Sequence, residues 1–269
     1  MDLGISDKKA IICASSRGLG KACAYDLAKE GVEIFINGTN EENLKKTELE
    51  FKDRGFKVQS VLGAMEDPET RDSLLNLCPD PDILINNSGG PPPGNFFDWT
   101  EEDFLSAIKS NFTQSALLMQ SVIPRMKEKK FGRIVNITSA MVKNPHLIMG
   151  LSTSARSGLH GLSKALSREV AQFNITINNL LPERIDTDRQ TQMLNLQAKI
   201  TGTSYEESRK ALEENLSAKR MGTAEEFSGI CTFLCSQQAA YISGQNISVD
   251  GGNSTNLIWL YLVGLVHSS

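Results

Sequence analysis

The residues with the clearest chemical potential lie near the start of the chain. Ile11-Ile12-Cys13-Ala14-Ser15-Ser16-Arg17-Gly18-Leu19-Gly20 joins an apolar run to a glycine-containing turn and then to helical spacing. A strand entering a helix through such a turn aims backbone N–H groups and the positive helix end at an anion. Gly18 and Gly20 leave room for a pyrophosphate to approach the backbone. Ala14, Ser16, Arg17, Gly18, Leu19 and Gly20 are therefore candidate phosphate contacts. Glycine turns after strands are common, so the rest of the chain has to supply the context.

That context is an alternation of strands and helices. Lys9 to Ala14 reads as the first strand, Leu19 to Lys29 as a helix stopped at Gly31, and Val32 to Asn37 as the second strand. A polar helix (Glu41 to Arg54) ends at Gly55, followed by a strand from Lys57 to Leu62, a short helix after Pro68, and a strand from Asp82 to Asn86. Such βαβ repetition requires right-handed crossovers and a parallel sheet covered on both faces, with ligands at the carboxyl ends of the strands. The Gly- and Pro-rich run Asn86 to Gly94 is a loop on that side. A long helix (Glu101 to Lys129), a strand (Arg133 to Thr138), a helix (Ser154 to Gln172) and a strand (Thr176 to Leu181) follow. Residues 183–222 are polar and helical in parts, a lid over a substrate or a plain surface helix pair. A helix from Ala224 to Cys235 and a strand from Asn246 to Val249 close the pattern. The expected fold is α/β, a Rossmann-type doubly wound parallel sheet of about seven strands, with residues 1–256 as one domain and 257–269 as an apolar tail.

The chain has 269 residues, 40% of them hydrophobic, and a net charge of -4. That charge argues against a nucleic-acid or acidic-membrane partner, and the basic run Lys127-Glu128-Lys129-Lys130 closes a helix. The five cysteines form no C-x-x-C pair or zinc spacing, which points to reduced thiols, a cytoplasmic location and no metal. Met1-Asp2-Leu3-Gly4 lacks the basic start of a signal peptide. Leu257 to Val266 is nearly all apolar but about half as long as a membrane helix. It suits packing on a partner subunit, with a read-through artefact as the alternative.

From Lys8 to Gly252 the order of signals resembles the short-chain dehydrogenase/reductase family, in particular its acyl-carrier-protein reductase branch. Asn87-Ser88-Gly89 resembles the family's Asn-Asn-Ala-Gly turn, Asn111 its helix asparagine, and Ser139 its active-site serine. Arg220-Met221-Gly222, Tyr241-Ile242-Ser243-Gly244-Gln245 and Val249-Asp250-Gly251-Gly252 resemble its closing segments. The resemblance implies hydride transfer between a nicotinamide dinucleotide and a small carbonyl or alcohol substrate. It also implies a homotetramer or homodimer built on the two long helices and the last strand, where Ser157, Gly158 and Gly161 permit close approach.

The same register puts the family's tyrosine on Ser152 and its lysine on Arg156, with Leu159 to Leu166 continuing without a gap. The tyrosine exchanges a proton with the substrate oxygen while the cation lowers its pKa from about 10. Ser152 cannot do this, and Arg156 keeps charge and donors but relays no proton. Replacement donors are His146, Tyr205, or a water held by Ser139, Ser152 and Asn111.

The cofactor positions also depart from the family's pattern. Cys13 and Ala14 stand where Thr and Gly are usual, and a left-handed Ala14 would cost about 1 kcal/mol. Ala64 takes the place of an adenine-binding aspartate and leaves Met65 to pack on the base. Glu183 follows Pro182 where Gly is usual, and would repel the pyrophosphate, narrow the pocket or turn outward. Ile185 and Thr187 match nicotinamide contacts, and Asn87, Ser88 and Gly89 match cofactor contacts. Ile36-Asn37-Gly38-Thr39-Asn40 offers no acid to the adenosine ribose, while Arg17 offers a base, so NADP(H) is expected, with Thr39 beside its ribose. Three functions compete: an oxidoreductase of 3-oxoacyl-reductase type, a non-catalytic dinucleotide-binding sensor or partner subunit, and an elimination or isomerisation on the same fold.

Overall fold

The computed structural model describes residues 1–255; the apolar run from 257 to 266 lies outside the described residues. Its strands are β1 (Lys9–Ile12), β2 (Glu33–Gly38), β3 (Val58–Leu62), β4 (Ile83–Asn86), β5 (Gly132–Ile137), β6 (Ile175–Pro182) and β7 (Asn246–Val249). They form one parallel sheet in the order β3-β2-β1-β4-β5-β6-β7, the doubly wound arrangement expected. The order reverses between β1 and β4, which opens a crevice beyond their carboxyl ends.

Both faces of the sheet are apolar because both are covered. In β1, Ala10 and Ile12 join one core cluster while Ile11, with Cys13 just beyond it, joins the other. The first cluster holds the sheet against α1 (Gly18–Lys29), α2 (Glu41–Asp53) and α9 (Ala224–Leu234). The second holds it against α3 (Pro68–Leu77), α5 (Gln114–Lys129) and α6 (Gly150–Val170). All five cysteines are buried and free. No helix among the described residues is long and apolar enough to cross a membrane.

The helix expected over Glu101 to Lys129 is interrupted. α4 (Glu101–Ile108) passes into a π turn (Lys109–Thr113) before α5. A π turn inserts one extra residue into the helical ladder and re-aims the side chains within it; here that residue set includes Asn111. α6 starts four residues before the expected Ser154, because Ser154 Oγ donates back to the Gly150 carbonyl (2.7 Å) inside the helix instead of capping it. Residues 183–222 form α7 (Asp188–Thr201) and α8 (Tyr205–Asn215) around a small cluster of their own, Leu194, Leu216 and Met221, against which Tyr205 and Leu212 pack.

One polar feature runs through the apolar sheet. Asn86, Asn136, Asn179 and Asn246 are register partners on β4, β5, β6 and β7. Asn86 Nδ2 donates to Asn136 Oδ1 (2.8 Å), Asn136 Nδ2 to Asn179 Oδ1 (2.9 Å), and Asn179 Nδ2 to Asn246 Oδ1 (2.7 Å). Asn136 Nδ2 also reaches Ser163 Oγ on α6 (2.9 Å), which ties the ladder to that helix.

Beside the crevice, Ala14 takes the left-handed conformation at φ +45°. Its N–H donates to Asn37 Oδ1 (2.9 Å) and its carbonyl accepts from Asn87 Nδ2 (3.1 Å), so the ends of β1, β2 and β4 are pinned through one strained residue. Ala14→Gly relieves the strain and is expected to raise stability by about 1 kcal/mol, a shift in Tm of about 2–4 °C by calorimetry.

Candidate active site

The first wall of the crevice is the turn into α1. No side chain caps this helix, so its leading N–H groups remain available to an anion. Gly18, at φ +57°, has open space where a Cβ would stand, and a Cβ on Gly20 would run into the Ala14 carbonyl. A cradle with these properties fits a pyrophosphate. Ser16 lies against Gly38, where a Cβ would come within 2.6 Å of its Oγ, and the Ser16 carbonyl accepts from Thr47 Oγ1 (2.9 Å). Leu19 packs against the first core cluster. Arg17 stands largely exposed, 3.8 Å from Asp188.

Next to the cradle, Thr39, Ala64, Glu66, Glu102 and Lys109 line a cavity of about 490 Å³. Met65 does not line it: its side chain is buried in the second core cluster, drawn there by apolar neighbours such as Phe35. The cavity beside it is bounded by Ala64 and Glu66.

The second wall carries a connected polar network. Asn111, buried in the π turn, accepts at Oδ1 from Ser88 Oγ (3.2 Å) and from Arg156 Nε (3.1 Å). Arg156 Nη1 donates to the carbonyls of Ile137 (3.3 Å) and Thr138. Ser152 and Arg156 lie one turn apart on α6, and both face Gly90: a Cβ there would sit 3.7 Å from Arg156 Nη2 and 3.9 Å from Ser152 Oγ. Gly89 has nothing within 4 Å of its would-be Cβ. Ser139 Oγ, at the end of β5, accepts from the Met141 N–H (3.2 Å).

Burial pulls the Arg156 guanidinium down to about 10, helped by the like charge of Arg189, and it stays charged at neutral pH. Arg189 donates from Nη2 to the Pro91 carbonyl (3.1 Å). One turn along α6, His160 Nε2 is 2.8 Å from Thr138 Oγ1. Burial, then the charges of Arg156 and Lys143, push His160 down to about 4, so it is neutral at pH 7. Lys143 Nζ donates to Ser248 Oγ (2.9 Å).

At the far end, Pro182 closes β6, and Ile185 bridges to Gly222, tying together the two ends of the 183–222 segment. Thr187 Oγ1 donates to the Ile185 carbonyl (3.4 Å). The Glu183 carboxylate accepts from Asn253 Nδ2 (2.9 Å). Of the replacement proton donors, Tyr205 packs in the lid's cluster with its hydroxyl accepting from Arg209 (3.4 Å), which ties it to α8 rather than to the network. His146 is exposed on the loop before α6. Sequence reasoning passed over Arg189 and His160. Arg189 carried a signal, since a cation in the first turn of a helix opposes the helix dipole.

A family model described as enoyl-(acyl carrier protein) reductase matches residues 13–254. The NADPH-dependent reductase BacG of Bacillus subtilis is 33% identical over 94% of this chain and 100% of its own length. The chain belongs to the short-chain dehydrogenase/reductase family. A second relative, the 3-oxoacyl-[acyl-carrier-protein] reductase FabG of Aquifex aeolicus, is 30% identical over 94% of this chain and 99% of its own. The crystal structure of L-sorbose reductase from Gluconobacter frateurii, complexed with NADPH and L-sorbose, superposes with a TM-score of 0.90 at 27% identity, covering 96% of this chain and all of that one. As a short-chain dehydrogenase/reductase, the chain keeps the family's ligand crevice at the reversal of its sheet.

His160 makes the fold sensitive to acid. It protonates at its ordinary 6.5 in the unfolded chain but only near 4 in the folded one. The unfolded state therefore binds more protons in that window, and stability drops as pH falls through it, by up to about 3 kcal/mol. Urea unfolding at pH 7, 5.5 and 4 is expected to show this loss in the parent protein and a flatter profile in His160→Gln.

Proposed function

We propose that this short-chain dehydrogenase/reductase is a reductase of 3-oxoacyl-reductase type that moves hydride between NADP(H) and a carbonyl or alcohol. The observation that carries the reading is the Ser88–Asn111–Arg156 network, intact beside an uncapped helix N-terminus at the ligand crevice. NADP(H) is the cofactor: BacG is named as NADPH-dependent, the sorbose reductase was crystallised with NADPH, and β2 here ends in Asn37 and Gly38 with Thr39 next, none of them acidic. When bound, NADPH supplies the hydride. Ala14, Ser16, Arg17, Gly18, Leu19 and Gly20 hold its phosphates, Thr39 and the segment at Met65 its adenosine, and Asn87, Ser88, Gly89, Pro182, Ile185 and Thr187 its nicotinamide end.

In this reading Ser152 and Arg156 occupy the positions of the family's tyrosine and lysine. Arg156 sets a fixed positive charge where the carbonyl oxygen gains negative charge, which lowers the barrier most strongly in a water-poor site. Since neither residue releases a proton near neutral pH, the proton comes from a water held by Ser139, Ser152 and Asn111. Residues 1–256 act as one domain, 183–222 as its lid, and the protein works as a homotetramer or homodimer in the cytoplasm. The alternative, a dinucleotide-binding sensor or partner subunit, is favoured by the same absence of an ionisable hydroxyl.

Calorimetric titration with NADPH and NADH, followed by an absorbance screen against carbonyl compounds, separates the two: turnover supports the reductase, binding with no turnover across the screen the sensor. Arg17→Glu is expected to weaken NADPH about tenfold and NADH much less. With a substrate in hand, Ser139→Ala is expected to lower kcat by about 10²-fold. His146→Gln and Tyr205→Phe are expected to change it by less than about twofold. A large loss in either of the last two would name the proton donor instead of water.

A further inference from the structure

Arg156 is a buried cation that pairs with no carboxylate among the described residues. It is 7% exposed, and the groups its Nε and Nη1 reach, the side chain of Asn111 and the carbonyls of Ile137 and Thr138, are all neutral. Its hydroxyl neighbour Ser152 stays neutral as well, whereas a tyrosine in that place could have supplied a phenolate. Four carboxylates of this face are engaged elsewhere: Asp188 with Arg17 (3.8 Å), Asp186 with Arg209 (2.7 Å), Glu183 with Asn253 (2.9 Å) and Asp103 with Thr100 (2.8 Å). An uncompensated buried charge is strongly unfavourable, and buried cations are normally paired.

A second guanidinium approaches the same place from the lid. Arg156 Nη2 points at Gly90, within 3.7 Å of where a Cβ would stand, and Arg189 Nη2 reaches the carbonyl of the next residue, Pro91, at 3.1 Å. Two cations from different elements thus reach one turn at the mouth of the crevice, where Gly89 has open space in place of a Cβ and Gly90 presents no side chain to Arg156. Like charges that bear on each other with no anion repel; a carboxylate that accepts from Arg156 Nη2 and from Arg189 removes the repulsion and gains charge-assisted hydrogen bonds.

We propose that the substrate is an oxo acid whose carboxylate is held between Arg156 and Arg189 at the Gly90–Pro91 turn. This rests on the reductase reading above. The reaction balances as reduction of the ketone: hydride from NADPH bonds to the carbonyl carbon, the C=O π pair moves to oxygen, a water gives its proton there and is left as hydroxide that solvent neutralises, and a hydroxy acid and NADP⁺ leave. The carboxylate takes no part in bond making; it orients the ketone so that the carbonyl oxygen also lies within the field of Arg156.

The test is calorimetric titration of the full-length protein, with and without NADPH, using three acid and ester pairs: pyruvate, acetoacetate and 2-oxohexanoate against their methyl esters. At least one acid is expected to bind about tenfold or more tightly than its ester. Arg189→Gln is expected to bring the pair to within about threefold, and Arg189→Lys to restore most of the gap. In turnover, Arg189→Gln is expected to raise KM for the acid and leave kcat and the ester's KM nearly unchanged. No acid preference in any pair, or a preference that survives Arg189→Gln, overturns the proposal. Acid preference in a protein that fails to bind NADPH overturns the reductase reading alone.

Discussion

The asparagine ladder across β4, β5, β6 and β7 is the constraint on which the site's geometry depends. Apolar alternation alone leaves a parallel sheet able to slip by two residues without exposing a hydrophobic side chain. Slipping any of these four strands breaks the amide chain, and each buried amide left without a partner costs about 1–3 kcal/mol. The ladder therefore fixes register, and with it the heights at which Asn87, Ser139 and Glu183 leave the sheet. Through Ser163 it also sets α6, the helix that presents Ser152 and Arg156.

Much of the fold was legible because its signals are local. The strand at Asn246 to Val249 matches β7 residue for residue, and the switch between β1 and β4 follows from the βαβ order. What escaped the sequence was decided by side chains that act against their usual statistics. The helix expected from Ser154 begins at Gly150, whose carbonyl accepts from Ser154 Oγ inside the helix. The π turn around Asn111 carries no proline or glycine to announce it. Met65 is buried among the apolar side chains of the second core cluster. The ladder itself is visible in hindsight as one asparagine interrupting each of several apolar strands, a pattern that gains meaning only when the strands are aligned.

The site is as informative for its charges as for its fold. Arg156 and Lys143 bear on His160, Arg189 bears on Arg156, and no carboxylate among the described residues pairs with Arg156 to offset them. His160 answers by remaining neutral, and the arginine cannot follow because its intrinsic pKa is too high. The polarity of this crevice is thus set by a group that has lost the option of titrating. Turning Glu183 toward Asn253 keeps a carboxylate from cancelling that polarity from within.

The segment 183–222 has a core of its own in Leu194, Leu216 and Met221, with Tyr205 and Leu212 against it, and it meets the crevice walls through the surface contacts of Arg17 with Asp188 and of Arg189 with Pro91. A segment built this way is a separate cooperative unit, whose opening free energy is set by a few apolar contacts and by polar contacts that salt weakens. The sheet, locked by its ladder, need not loosen when this segment does. If 183–222 is the lid proposed above, entry and release of small molecules draw on the small reserve of stability in α7 and α8, and leave untouched the larger one that keeps the crevice in shape.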